Sequence, residues 1–187
     1  AMAQDMLSAL IATPKLAGVL IISNSTDIKD LVQNYPVELI PEGQEKGLNG
    51  AISQAAKILV SRDVKAMMVI HGDIPLVRPE DIDAILETIL PAPSVTITPC
   101  KQKDGTNVMV CCPPDVITFE YGKQSYSKHI LAALDKGIEP TKVPNEHLAI
   151  DIDTEGDLLD FLSYIEKEEL GIKTTAFIQQ IDLAERL

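Results

Sequence analysis

Two kinds of hydrophobic pattern alternate along the chain. Short runs that are continuously apolar, such as residues 67–70, are typical of buried strands. Between such runs lie stretches in which apolar residues recur every three or four positions, as Met2, Met6, Leu7 and Leu10 do. That spacing is typical of amphipathic helices. The alternation predicts a chain in which strands and helices follow one another in turn.

The boundaries of these elements follow from where each pattern starts and stops. We predict a helix that begins at Met2 and further helices over residues 26–33, 48–61, 79–90, 125–136 and 157–170. We predict strands over residues 18–23, 37–40, 66–71, 95–99, 106–112, 139–143 and 148–153. This order predicts an α/β fold, a three-layer sandwich around a mostly parallel sheet. No boundary interrupts the pattern, so we expect residues 1–187 to form a single domain.

Composition and charge narrow the class of protein. Of the 187 residues 45% are hydrophobic, enough for one full core, and no apolar run approaches the ~18 residues of a membrane span. The three cysteines are odd in number and Cys111 is adjacent to Cys112, so we interpret them as reduced packing residues of a cytoplasmic protein. The net charge of −12 argues against nucleic acid as a partner. A nucleotide substrate is compatible with it, because divalent ions can neutralise phosphates.

The most informative single position is Asp73. It ends the apolar run 67–70 in the sequence His-Gly-Asp-Ile-Pro, and the helical pattern of residues 79–90 follows. In open α/β sheets, ligands bind at the carboxyl ends of the strands, so Asp73 is a candidate functional carboxylate. The alternative is that Asp73 only braces the turn.

A second group of carboxylates lies at Asp151 and Asp153. If residues 148–153 are extended, both side chains lie on one side of the strand and the intervening isoleucines on the other. Two adjacent carboxylates repel one another unless a cation lies between them, and Mg²⁺ prefers oxygen ligands. With Asp73 from another strand they could therefore hold Mg²⁺. The alternative is that Asp153 and Thr154 cap the next helix.

Three loops are weaker candidates. Gly47-Leu48-Asn49 begins a predicted helix, where backbone N–H groups can bind a phosphate or a base. Gly105 and Thr106 belong to a segment joining two predicted strands, and the alternative there is a plain hairpin with glycine in the left-handed conformation. Gly122 precedes Ser125, which could cap a helix and leave N–H groups for an anion. For each loop, an ordinary turn or helix start is the competing interpretation.

Taken together, these segments resemble a known family. The motifs are Gly47-Leu48-Asn49, Gly72-Asp73-Ile74-Pro75-Leu76, Gly105-Thr106-Asn107, Gly122 with Ser125, and Asp151-Ile152-Asp153. Their order and spacing are similar to those of the guanylyltransferases that act on 2-phospholactate, phosphoenolpyruvate or 3-phosphoglycerate in the biosynthesis of the deazaflavin coenzyme F-420. The resemblance implies the nucleotide-diphospho-sugar transferase type of α/β fold.

The resemblance also implies residue roles. Mg²⁺ would be held by Asp73, Asp151 and Asp153, which would form the catalytic centre. The phosphate and carboxylate of the phospho-acid would be bound by Thr106, Gly122 and Ser125. The guanosine part of GTP would contact Gly47, Leu48 and Asn49. The expected partners are thus GTP and a small phospho-acid, and the oligomeric state stays open.

One departure from the family pattern concerns the start of the chain. The family begins with a strand and a loop whose Lys and Arg residues bind the triphosphate, and the chain here begins at about the family's first helix. We expect that first strand and loop to be absent, which leaves Lys46, Lys123 and Lys128 as the basic residues near the motifs. Two alternatives therefore stay open: another nucleotidylyltransferase of this fold, such as the molybdenum-cofactor type, or a non-catalytic nucleotide-binding derivative.

Overall fold

The computed structural model describes residues 1–44, 47–165 and 170–181. The described strands are β1 (Leu20–Ile22), β2 (Glu38–Ile40), β3 (Met67–Ile70), β4 (Ser94–Pro99), β5 (Thr106–Cys112) and β6 (Thr141–Lys142). The described helices are α1 (Met2–Ile11), α2 (Thr26–Val32), α3 (Gly47–Ser61), α4 (Pro79–Leu86), α5 (Ser125–Leu134), α6 (Glu155–Ile165) and α7 (Ile172–Gln180). Strands and helices alternate over most of this order, as the hydrophobic pattern predicted.

The strands form two hydrogen-bonded groups. Strands β1 and β2 pair in parallel, and the other four have the order β3-β5-β4-β6. Strand β5 is antiparallel to both neighbours, whereas β6 is parallel to β4, so β3, β4 and β6 share one direction. The predicted α/β fold with a mostly parallel sheet is confirmed, with β5 as the reversed strand.

Both faces of the larger sheet are buried, which makes the fold a three-layer sandwich. Alternate residues of β3 and β5 point to opposite faces because the side-chain period of a strand is two. Met67 and Met109 pack with residues of α3 and α5, whereas Val108 and Val110 pack with residues of α1 and α4. Continuous burial of both faces explains why these strands read as uninterrupted apolar runs.

A cleft of about 870 Å³ separates β1 from β3. Its walls include the apolar side chains of both strands and of α1, and it reaches Gly72 and Asp73. Among the described residues, no strand hydrogen-bonds to the edges of β1 and β3 that face this cleft. The carboxyl end of β3 therefore opens onto a largely apolar space.

A third cluster of side chains covers the opposite side of the Asp73 loop. Phe161 of α6 and Ile178 of α7 pack on Leu76 and Ile150, which follow and precede the candidate carboxylates in sequence. The carboxylate of Asp5 in α1 accepts hydrogen bonds from the first N–H groups of α7, at 2.8 and 2.9 Å. The last two helices are thus anchored to the rest of the fold beside the candidate site.

Several predicted boundaries were wrong. Residues 148–153 form turns and loop rather than a strand. The helix predicted over 79–90 ends at Leu86. Just beyond this end, the hydroxyl of Thr88 donates a hydrogen bond to the Ile85 carbonyl. The last predicted helix begins at Glu155, its stretch 166–169 lies outside the described residues, and α7 was not predicted. None of the described helices combines the length and apolarity needed to cross a membrane.

Candidate active site

Asp73 lies on the loop that leaves β3, as predicted. The loop continues through four buried residues, 74–77, and the Asp73 carbonyl accepts a hydrogen bond from Ile152 N–H at 3.1 Å. The carboxylate oxygen Oδ1 is buried and has no hydrogen-bond partner among the described residues. The backbone of Asp73 is therefore fixed while one carboxylate oxygen stays available to a ligand.

Asp151 and Asp153 lie close enough to Asp73 to affect its pKa, but they are positioned by contacts that the sequence did not predict. Because residues 148–153 are not a strand, strand alternation does not place the two side chains. Instead, Asn107 donates from Nδ2 to Asp151 Oδ1 at 3.1 Å and to the Leu148 carbonyl at 3.0 Å. The loop is held against β5 by this amide and against Asp73 by the Ile152 hydrogen bond.

The alternative that Asp153 and Thr154 cap the next helix is confirmed for Thr154 only. Thr154 Oγ1 accepts from the N–H of Asp157 at 3.3 Å, and Asp157 Oδ2 accepts from Thr154 N–H at 2.9 Å. This reciprocal pair is a capping box at the start of α6. The cap leaves the carboxylates of Asp151 and Asp153 available for another role.

The three carboxylates influence one another. Burial raises the pKa of the Asp73 carboxyl, a charge on His71 lowers it, and the charges of Asp153 and Asp151 raise it further, with a net upward shift. Concentrated negative charge with one buried oxygen lacking a partner is unfavourable by itself and becomes favourable beside a cation. The donor chemistry therefore fits a hard divalent ion such as Mg²⁺.

The geometry is nevertheless not that of a closed metal site. Within residues 1–44, 47–165 and 170–181, no group of three His, Cys, Asp or Glu side chains is close enough to hold a metal ion. Magnesium commonly keeps several waters and binds through one or two protein carboxylates together with substrate phosphates. A role for Asp73, Asp151 and Asp153 in holding Mg²⁺ stays a prediction.

A bulge in β5 places Thr106 next to α5. Thr98 pairs with Val108 and Pro99 pairs with Thr106, so Asn107 is an extra residue on β5. A bulge shifts the alternation of side chains by one residue and re-aims the residue beyond it. Thr106 therefore faces α5, where its N–H donates to Ser125 Oγ at 2.9 Å and its Oγ1 lies 3.0 Å from His129 Nδ1.

The turn before α5 brings Gly122 to the same site. Gly122 has a φ of +118°, and its carbonyl accepts from Ser125 N–H at 3.0 Å. Ser125 does not cap the helix as predicted: it is the first helical residue, and its hydroxyl accepts from β5 instead. Ser125 and Thr106 are both almost fully buried, at 2% and 1% exposure, so two hydroxyls meet where the strand and the helix begin.

The alternative considered for the β4–β5 connection, a hairpin with glycine in the left-handed conformation, does not hold for Gly105. Lys103 has the positive φ, 60°, whereas Gly105 lies where an added Cβ would come within 3.3 Å of Cys100 Sγ. Glycine at position 105 is therefore favoured by close approach to Cys100 rather than by its backbone angles.

In the loop predicted to contact guanosine, the side-chain amide of Asn49 is already bonded within the protein. Gly47 has a φ of +79° and begins α3, and Leu48 is 49% exposed. The side-chain amide of Asn49 pairs with the backbone of Tyr121, accepting from N–H at 2.7 Å and donating to the carbonyl at 3.1 Å. Lys46 lies outside the described residues. Contacts of this loop with guanosine stay a prediction.

Sequence reasoning missed two residues of the site. Asn107 was noted only as part of a motif, and its link to Asp151 spans 44 positions that no local pattern connects. His129 was not considered, although it lies four residues after Ser125, and residues with that spacing share one face of a helix. The spacing was a usable signal for His129, since Ser125 and Ala133 on the same face are also buried.

Fold and site together define a class. The same architecture occurs in a crystal structure, from Desulfovibrio desulfuricans, whose description assigns it to the nucleotide-diphospho-sugar transferases. The two align with a TM-score of 0.69 over 89% of this chain and 74% of that one, at 18% identity, a level that shows the fold alone. The chain therefore has an α/β fold of the nucleotide-diphospho-sugar transferase type.

The particular family follows from the sequence. The profile of the family described as "Guanylyl transferase CofC like" matches residues 1–184, and the chain belongs to that family. The resemblance inferred from the motifs is confirmed.

Curated relatives in this family differ in the acceptor that their names give. A phosphoenolpyruvate guanylyltransferase of Rubrobacter xylanophilus is 30% identical over 60% of this chain and 55% of its own length. A 3-phospho-D-glycerate guanylyltransferase of Colwellia psychrerythraea is 30% identical over 75% and 66%. A 2-phospho-L-lactate guanylyltransferase of Methanothermobacter thermautotrophicus is 27% identical over 75% and 61%. The chain thus spans between about half and two thirds of the length of these three relatives.

Proposed function

We propose that the protein transfers GMP from GTP to the phosphate of a small phospho-acid in the biosynthesis of coenzyme F-420. The proposal rests on where the hydroxyl and carboxylate side chains lie relative to one another. A buried pair of hydroxyls, Thr106 and Ser125, lies at the start of β5, and the next residue of that strand holds the loop of Asp151 beside Asp73. An anion site at these hydroxyls would adjoin the carboxylates, and this arrangement supports the transfer of GMP from one anion to another.

The chemistry needs no general base from the protein. A phosphate oxygen of the acceptor is ionised at neutral pH and attacks the α-phosphorus of GTP. The bond between that phosphorus and its bridging oxygen breaks, and pyrophosphate leaves. Catalysis then consists of in-line positioning and neutralisation of charge.

Each part of the site has a task in this scheme. Thr106 and Ser125 would bind the phosphate and carboxylate of the acceptor through their hydroxyls, and Gly122 would bind them through its backbone N–H. Asp73, Asp151 and Asp153 would hold Mg²⁺, which when bound neutralises phosphate charge. The segment Gly47, Leu48 and Asn49 would contact guanosine. The reduced state of the three buried, free cysteines supports a cytoplasmic reaction.

The acceptor is one of three related compounds. Phosphoenolpyruvate, 2-phospholactate and 3-phosphoglycerate share a phosphate and a carboxylate, and they differ by small groups that a pocket separates by only about 1–3 kcal/mol. The position of Ser125 and Thr106 accounts for the shared groups. It does not separate the three compounds.

The test is a coupled assay of pyrophosphate release by the full-length protein with Mg²⁺. We expect release with GTP and one of the three acceptors, and none when the acceptor is left out. ATP and CTP serve as matched controls for the base. If no acceptor supports release above the rate without acceptor, the proposed function is wrong.

A further inference from the structure

His129 lies directly behind the two hydroxyls of the proposed acceptor site. Its side chain is fully buried on α5, one helical turn after Ser125. The backbone N–H of Glu120 points at Nε2 over 2.9 Å. A backbone N–H can only donate, so Nε2 must carry the lone pair, and the proton of a neutral imidazole must then lie on Nδ1.

The tautomer of His129 determines how Thr106 can bond. Thr106 Oγ1 lies 3.0 Å from Nδ1, so the imidazole donates and Oγ1 accepts. The hydroxyl proton of Thr106 cannot point back at His129 and must be directed elsewhere. We infer that His129 is a positioning residue that makes the Thr106 hydroxyl a hydrogen-bond donor to the anionic acceptor, an inference that rests on the proposed function.

The neighbouring hydroxyl is arranged in the same way. Ser125 Oγ accepts from the N–H of Thr106 at 2.9 Å, so its own proton is also left for another partner. Each of the two buried hydroxyls accepts one hydrogen bond from a protein N–H and keeps its own proton for another partner, so together they can act as a pair of donors. A pair of donors suits the oxygens of a phosphate or carboxylate.

The surroundings keep His129 neutral. Burial, together with the charges on His71 and Lys128, lowers the pKa of His129 to about 4. The ring of Tyr121 packs against His129 in an edge arrangement, with centroids 4.6 Å apart. At neutral pH a second ring proton is therefore disfavoured, and the direction of the hydrogen bond to Thr106 is fixed.

Two substitutions of His129 distinguish the role of Nδ1 from that of Nε2. In His129→Asn the amide nitrogen takes the place of Nδ1 and can still donate to Thr106. In His129→Gln the amide reaches the place of Nε2, so it can accept from Glu120 N–H but cannot reach Thr106. We expect His129→Gln to raise the acceptor KM by about tenfold or more. We expect His129→Asn to raise it less, and neither variant to change the KM for GTP.

A double-mutant cycle tests whether His129 acts through Thr106. Thr106→Val removes the hydroxyl at nearly constant volume, so it should raise the acceptor KM on its own. If His129 acts through this hydroxyl, adding His129→Gln to Thr106→Val should cause little further change, and the two effects will not add. Additive effects, or equal acceptor KM values for the Asn and Gln variants, would overturn the inference.

The ring proton can also be observed directly in the unmodified protein. Two-bond ¹⁵N–¹H correlation spectra of full-length protein labelled in histidine should show His129 as the Nδ1–H tautomer. The Nε2–H tautomer would overturn the inference even if the variants fail to fold. Failure of the proposed function is distinguishable, because unmodified protein would then release no pyrophosphate with any of the three acceptors.

Discussion

At the scale of single residues, Asp73 combines a fixed backbone with an unsatisfied carboxylate oxygen. The Ile152 N–H holds its carbonyl, while Oδ1 is buried without a hydrogen-bond partner among the described residues. Such a group costs free energy of folding, and proteins commonly keep a costly group where it binds a ligand. Asp73 is therefore the residue at which stability and function should respond to mutation in opposite directions.

We predict that Asp73→Asn abolishes transfer, and that Asp151→Asn does the same. Each change removes a negative charge from the predicted Mg²⁺ site. A loss of several kcal/mol of charge stabilisation would lower the rate by at least about a hundredfold. The measurement is pyrophosphate release over a range of Mg²⁺ concentrations. The exposed Asp115→Asn is the matched control, and activity like that of the unmodified protein in the Asp73 or Asp151 variant would refute the metal role.

The same substitution should not reduce stability. Burial raises the pKa of Asp73, so the folded state holds a proton that the unfolded chain releases first as pH rises. The ionised carboxylate of Asp73 therefore destabilises the folded state. This destabilisation is absent below the ordinary pKa of an aspartate and complete above the raised pKa of the folded state. Asp73→Asn should therefore keep or raise the Tm at pH 7 and lose any advantage at acidic pH. A drop in Tm at pH 7 would indicate that Asp73 only braces the loop.

Ser125 carries the prediction for the acceptor. Ser125→Ala removes a hydroxyl at the start of α5 and leaves the N–H of Thr106 without its partner. Losing one hydrogen bond to a charged group costs about 1.5–3 kcal/mol, so the acceptor KM should rise by roughly ten- to a hundredfold. The GTP KM measured in the same experiment is the internal control. Equal increases for both substrates would mean that this loop binds a different ligand.

At the scale of elements, the cover formed by α6 and α7 holds the carboxylate loops in place. Phe161 is fully buried against Leu76 and Ile150. Gly171 precedes α7 with a φ of +56°, and an added Cβ would lie 2.7 Å from Phe161 Cε2. The two helices approach one another this closely because position 171 has no side chain.

We predict that Gly171→Ala is strongly destabilising. The left-handed backbone costs about 1–2 kcal/mol for a non-glycine residue. Overpacking against Phe161 adds about 1–3 kcal/mol. Gly137→Ala is the matched control, because Gly137 has a φ of +73° and open space at its Cβ position. Free energies of unfolding from urea titration should differ between the two variants, and equal values would exclude a steric contribution from Phe161.

At the scale of the whole molecule, GTP binding should depend on the net charge of the protein and on the cleft between β1 and β3. The net charge of −12 repels a triphosphate, and Mg²⁺ bound at the aspartates, as predicted, would offset only part of that field. The edges of β1 and β3 face a cleft of about 870 Å³ that reaches Asp73. A strand in that cleft would end beside the candidate carboxylates, where a basic loop could reach the phosphates.

We therefore predict that residues 1–187 alone bind GTP weakly or not at all. A polypeptide extended upstream of Ala1 by a strand and a loop bearing Lys and Arg should bind GTP in the presence of Mg²⁺. Each charge-assisted hydrogen bond contributes about 1.5–3 kcal/mol, so two such side chains should tighten binding by at least about a hundredfold. Calorimetric titration of both polypeptides with GTP would measure the difference in affinity. The control is the extended polypeptide with the Lys and Arg residues of its loop replaced by Gln. Tight binding by residues 1–187 alone would show that Lys46, Lys123, Lys128 and the helix N-termini suffice.

Local patterns in the sequence were enough for much of the framework. Apolar runs located the buried strands, and the change of period located most of the helices, because both patterns are set by neighbours within a few positions. The position of Asp73 after β3 and the cap at Thr154 followed from the same short-range rules. The motifs alone were also enough to indicate the family.

Tertiary structure alone decided how the site is assembled. The bulge at Asn107 turns Thr106 towards α5, and its amide holds the Asp151 loop, which the sequence had predicted to be a strand. Asp5 binds the start of α7 across nearly the whole chain. Partners of this kind are separated by 40 or more positions, so their hydrogen bonds leave no periodic trace in the sequence. Only the packed sheet brings them within reach of one another.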